Sequence, residues 1–223
     1  MGFTNEERGA PSERATVRRL PERGSYERAL ADAILDEGLV AHVGLAGEHG
    51  PVVIPMLYAR AGDRLLLHGS PASRLLRTAA AGVDVCVTVT LVDGLVLARS
   101  AFHHSMNYRS VVVFGTATRI DDLDERRLAL DVLVEAIVRG RTADARPAND
   151  KELRGTSVVS VPLSDFSVKV RAGGVVDEPE DYGLDVWAGV LPLAVAPGAP
   201  IPDEALPADR AVPSYVTGYP RRT

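Results

Sequence analysis

Hydrophobic and polar residues alternate along most of this chain with the period of half-buried strands. The clearest run is Val83-Asp84-Val85-Cys86-Val87-Thr88-Val89-Thr90. The pattern predicts strands over residues 39–45, 51–60, 64–68, 83–92, 108–120, 156–161 and 165–171. The 47–50 region turns between the first two, and Ala61-Gly62-Asp63 is a hairpin turn before the third. Helical spacing interrupts this pattern. Tyr26, Ala29, Leu30, Ala33 and Ile34 share one face of a first helix, capped by Ser25 and ended by Gly38. A short helix follows over 75–81, with Ser70 as its N-cap and Pro71 at its first position. A third begins near Asp122 with Glu125 as capping-box partner. It carries the stripe Leu130, Leu133, Val134, Ile137 and Val138 and stops near Gly140. Asn149 and Glu152 have capping-box spacing for a further short turn.

Strands outnumber helices, and early connections are of hairpin length. The expected class is therefore mostly β (α+β), with antiparallel pairing and flanking helices. A six- or seven-stranded antiparallel barrel is the natural closure, since closure removes edges. Residues 1–15 are polar and expected to be mobile. Residues 16–193 form the folded domain. Residues 194–223 form a Pro-rich tail with Pro197, Pro200, Pro202, Pro207, Pro213 and Pro220.

Composition narrows the function. The chain has 223 residues, 46% hydrophobic and 25% charged, with a net charge of −5. That balance suits a globular domain and disfavours a nucleic-acid partner, which would call for a basic face. The single cysteine, Cys86, lies in a strand and reads as a buried thiol. The first thirty residues hold no apolar leader, and no apolar run reaches membrane-spanning length. A cytoplasmic protein without a membrane partner is expected.

Three stretches carry candidate chemistry. In His68-Gly69-Ser70-Pro71-Ala72-Ser73-Arg74, two hydroxyls and a guanidinium gather where a strand passes into a helix. An anion site and an ordinary capped helix start both fit this pattern. In Asn107-Tyr108-Arg109-Ser110, polar and aromatic groups stand at the entrance of an apolar strand. Arg109 there suits a phosphate or a ring carbonyl. Trp187 is the only tryptophan and falls near the end of the folded part. Signatures of dinucleotide-binding, P-loop, zinc-protease and serine-hydrolase sites are absent. His103 and His104 are adjacent, so extended backbone points them apart, and no metal site is expected.

Taken with Pro55-Met56-Leu57-Tyr58, these stretches resemble the FMN-binding split-barrel family related to pyridoxamine 5′-phosphate oxidase. The nitroimidazole-resistance-like flavoproteins are the most similar branch. The resemblance implies a six-stranded antiparallel split β-barrel that forms a homodimer with FMN at the interface. It sets Pro55, Met56, Leu57 and Tyr58 along the flavin ring. It sets His68, Gly69, Ser70, Ser73 and Arg74 at the ribityl chain and phosphate. Asn107, Tyr108, Arg109 and Ser110 would approach from the partner or the ring's far edge, with Trp187 near the ring. Trp187–Leu193 is apolar where the pyridoxamine phosphate oxidases grip a substrate phosphate, which argues against vitamin B6 oxidation. The resemblance thus implies an oxidoreductase acting on a small electrophilic or nitro-aromatic substrate, or a flavin reductase, with NAD(P)H as a possible donor. A flavin carrier or sensor without turnover, and a split barrel holding F420 or haem, are the alternatives.

Overall fold

The computed structural model describes residues 9–47, 50–207 and 209–219. Its organising strand is β5 (Asp84–Leu97), fourteen residues long. On one side it pairs along its length with β6 (Ser105–Thr116). On the other side it pairs first with β2 (Val40–Gly47) and further along with β10 (Gly189–Pro192). Asp93 falls at a register shift between Val92 and Gly94. Such a bulge bends the strand and re-aims a side chain.

The remaining elements are β1 (Gly24–Ser25), α1 (Arg28–Glu37), β3 (Gly50–Ala61), β4 (Arg64–Gly69), α2 (Arg74–Ala80), β7 (Thr118–Arg119), α3 (Leu123–Ile137), α4 (Asp150–Arg154), β8 (Ser157–Pro162), β9 (Asp165–Arg171) and α5 (Ser214–Thr217). The sheet order is β1-β9-β6-β5-β2-β3-β4-β8-β7, all antiparallel, with β10 on β5. Among the described residues the sheet thus has ten strands, nine in an open path and β10 beside it, rather than six in a closed barrel. The additions are short: β1, β7 and β10 cover two to four residues each. None of the three has the alternating run that reveals a strand in sequence. No described helix is long and apolar enough to cross a membrane.

Two apolar layers hold the sheet. The inner one joins Ile34 and Leu35 of α1 to Leu65, Leu67, Val87, Val111 and Val168. The outer one lies between the back of β3 and β4 and helix α3, around Ala59, Leu66 and Leu133. Leu65-Leu66-Leu67 does not alternate because both faces of β4 are covered.

The α1 face differs from its expected one. Ala29 and Ala33 are exposed, while Leu30, Ala31, Ile34 and Leu35 turn inward. Ser25 is not its cap, because it belongs to β1 and pairs with Val168. Gly38 does end the helix, with extended backbone at φ −68°. Glycine is needed there for space: a Cβ would lie 2.6 Å from the Tyr58 hydroxyl and from Val89. The Asp122 cap holds, but Glu125 turns to Arg64 at 2.7 Å instead of closing the box. The Asn149–Glu152 capping box is complete.

Residues 12–15 are tied to the sheet. Residues 1–8 lie outside the described residues. Ser12 donates to Asp165 at 2.6 Å, Arg14 bridges Asp84 and Asp165, and Ala15 is buried.

Candidate functional site

The first candidate site forms where β3 loses a neighbour. Residues 50–57 pair with β2 on one edge, and only residues 58–61 pair with β4 on the other. The 50–57 stretch therefore presents a strand edge with no strand partner among the described residues. Beside it the chain leaves β4 at His68 and Gly69 and turns into α2. A Cβ at Gly69 would lie 2.8 Å from Leu76, so glycine lets α2 pack close under the turn.

Ser70 does not cap α2. Its carbonyl accepts from Ser73 N–H at 2.9 Å and its hydroxyl from Ala72 N–H at 3.2 Å. These bonds close a turn that holds Pro71. The cap is Ser73, whose hydroxyl accepts from Leu76 N–H. Arg74 then opens the helix, and Arg74, Arg77 and Thr78 line a cleft of 530 Å³. The turn end of the β2–β3 hairpin, including Leu45 and Pro51, forms its other wall. Both arginines are exposed, and neither has a carboxylate partner among the described residues. Arg77 escaped the sequence reading. Its signal was the i, i+3 spacing from Arg74, which puts both on one helix face.

The other predicted residues lie elsewhere in the same chain. Arg109 opposes Leu91 on β5, whereas Leu45 of the cleft opposes Val85. Six residues of strand separate those positions, about 20 Å. Arg109 is also engaged. It bonds Asp93 at 2.7 and 3.0 Å and Glu37 at 2.5 and 2.8 Å. Those bonds, from Asp93 first and then Glu37, raise its pKa further above the ordinary arginine value. Within this chain the Arg109 guanidinium ties the end of α1 to the β5 bulge.

Asn107 holds the backbone of Gly173 and the Arg171 guanidinium. Tyr108 faces Arg171 in register, and Ser110 donates to the Lys169 carbonyl at 3.4 Å. Trp187 is 69% exposed, its ring folded over Gly189. The β3 residues also diverge. Pro55 is exposed opposite His42, and Met56 packs on the inner layer. Tyr58 is buried and donates to Leu35 O at 2.5 Å, so its side chain is turned away from any ring along the β3 edge.

Leu57 and His68 face a second cleft, of 420 Å³, on the α3 side. The predicted α3 stripe lines it: Leu133 is buried, while Ile137 is 39% exposed. Asp131, Thr142, Arg146, Glu152 and Thr156 add polar groups at this cleft, with Arg146 paired to Glu152 at 2.7 Å. His68 Nδ1 is buried without a hydrogen-bond partner among the described residues. Burial lowers the His68 pKa, which favours the neutral imidazole.

The profile of the family described as pyridoxamine 5′-phosphate oxidase matches residues 27–170. No curated protein matches the chain. Among solved structures, the flavocytochrome Anf3 from Azotobacter vinelandii is 37% identical, covers 94% of this chain and 97% of its own, and superposes with a TM-score of 0.88. An FAD- and haem-binding protein from Mycobacterium smegmatis is also 37% identical, covers 88% and 96%, and gives 0.84. A candidate 5-nitroimidazole antibiotic resistance protein from Bacteroides thetaiotaomicron is 26% identical, covers 66% and 86%, and gives 0.55. The strand order, the cleft at the start of α2 and these matches lead to one assignment: the chain belongs to the pyridoxamine 5′-phosphate oxidase family.

Proposed function

We propose that this protein is a flavin-binding redox protein. The observation that carries the reading is a pair of guanidiniums with no carboxylate partner among the described residues, Arg74 and Arg77, on a cleft beside the open edge of β3. Charge-assisted bonds to phosphate oxygens are the strongest available to such groups. Two cations one helical turn apart suit a diphosphate better than a single phosphate. That favours FAD over FMN, and the M. smegmatis relative is described as binding FAD. A bound flavin would supply one- and two-electron transfer, while the protein binds and orients it. Arg74 and Arg77 would neutralise the phosphates. Backbone groups of residues 52–57 would hydrogen-bond the ring edge, except at Pro55, which has no N–H.

A homodimer belongs to this proposal. Val40, Val53 and Val92 are 43–61% exposed on the β2, β3 and β5 strands. Val40 and Val92 line an apolar cleft of 610 Å³ with Leu193 and Val195 of the tail. Two-fold pairing through that face would lay one end of a subunit over the opposite end of its partner. Asn107, Tyr108 and Trp187 of a second copy would thereby reach the α2 cleft. Reduction of a small electrophilic substrate, with NAD(P)H as donor, fits the same site.

The second cleft favours an additional haem. An apolar wall and an imidazole nitrogen with no hydrogen-bond partner among the described residues match a flat ligand with an iron centre. The absorption spectrum of the purified protein tests both readings. Flavin bands with FAD released on denaturation are expected, together with a Soret band that His68→Ala removes while flavin is retained. A protein that takes up neither FAD nor FMN would overturn the flavin reading. A Soret band untouched by His68→Ala, or no hemin uptake, would remove the haem.

A further inference from the structure

We infer that α5, at the end of the Pro-rich tail, is a latch on the wall of the His68 cleft. Every described residue from Leu193 to Val212 is exposed. The tail is nonetheless fixed at both ends. Near its start, β10 pairs with β5, and buried Asp177 accepts from the Arg99 backbone at 3.2 Å and its guanidinium at 3.1 Å. At its far end Tyr215 comes back to the domain. Its hydroxyl donates to Asp144 at 2.7 Å and accepts from Arg141 at 2.9 Å. Its ring lies against Gly140, where φ is +92° and a Cβ would sit 3.7 Å from the ring.

The segment that Tyr215 grips continues directly into the cleft wall, where Thr142, Ala145 and Arg146 face the cavity shared with His68. That segment has an inner and an outer fastening. On the inside, the Glu135 carboxylate of α3 accepts from Gly140 N–H at 2.7 Å and Thr142 N–H at 2.9 Å. Tyr215 is the outer one. A four-residue helix on an exposed tether is a unit of low local stability, able to open while the sheet stays intact. Docked, α5 holds the wall against α3. Released, it leaves the wall on Glu135 and on the Arg146–Glu152 and Arg127–Ala148 contacts further along, and the cleft more open.

The inference rests on reading the His68 cleft as a ligand site, but its test needs no ligand. In a Cys86→Ser background, which removes the single cysteine, His68→Cys reports opening through its rate of labelling by dithionitrobenzoate. Leu57→Cys is a second reporter should the first fold poorly. Adding Tyr215→Ala should speed labelling about tenfold, the effect of losing two hydrogen bonds of ordinary strength. Tyr215→Phe should fall between. Unchanged rates at both reporters would overturn the latch. Equal acceleration at native Cys86 would also overturn it, since that would report general loosening. Failure of hemin to bind, with labelling still accelerated, would remove the haem and leave the latch standing.

Discussion

Arg74 and Arg109 stand in similar sequence settings and have opposite fates. Each lies beside a serine, Arg74 at the start of α2 and Arg109 in the first half of β6, and each suits an anion. Arg74 meets no carboxylate among the described residues and faces a cleft with Arg77. Arg109 sits between Asp93 and Glu37, which come from a bulge 16 residues away and a helix end 72 residues away in sequence. The difference lies in what the fold brings to the guanidinium. An arginine with two carboxylates is a structural tie, and one with none in an exposed cleft keeps its charge for a ligand.

Three sets of substitutions can break or sharpen this contrast. The largest effect is expected from Arg109→Met, which takes the shared guanidinium away from Glu37 and Asp93. Stability should fall by roughly 2–4 kcal/mol in urea denaturation, with flavin affinity of the folded variant unchanged. A tenfold loss of flavin affinity without loss of stability would reverse the roles. Next, Arg74→Ala with Arg77→Ala should weaken flavin at least tenfold, since charge-assisted contacts contribute about 1.5–3 kcal/mol each. Stability should stay within about 0.5 kcal/mol, because both side chains are exposed. Titration of FAD and FMN separates the two cations: Arg77→Ala alone should weaken FAD more than FMN, and equal losses would point to a single phosphate. The smallest effect concerns the turn before them. Ser73→Ala removes the α2 cap and should lower stability by about 1 kcal/mol, whereas Ser70→Ala should change it by a few tenths. The opposite ranking in thermal melts would return the cap to Ser70.

Much of the fold was legible because it rests on local patterns. Every predicted strand appears within a few residues of its expected bounds, since alternation records which face of a strand is buried. The long β5–β6 hairpin was read short. Its outer half is stabilised by β10, and β10 has no strong pattern of its own. The Asn149–Glu152 box was readable because both partners sit within one turn. Ser70 was misread as a cap because Ser-Pro and Ser-Arg both resemble a helix start. The hydrogen bond from Ser73 to Ser70 O decides between them.

The site was legible only in part. The cationic turn before α2 could be seen because its residues are consecutive, and Arg77 could have been found by helical spacing. The engagement of Arg109, the inward turn of Tyr58 and the unpaired Nδ1 of His68 could not. Sequence by itself determined the antiparallel β class, the strand positions and a cationic turn before α2, because these follow from contacts between near neighbours. Tertiary structure alone decided which arginine stays free, which clefts exist and where the tail returns. Charge pairing and burial depend on groups distant along the chain, and only the folded path brings them within a few ångströms of one another.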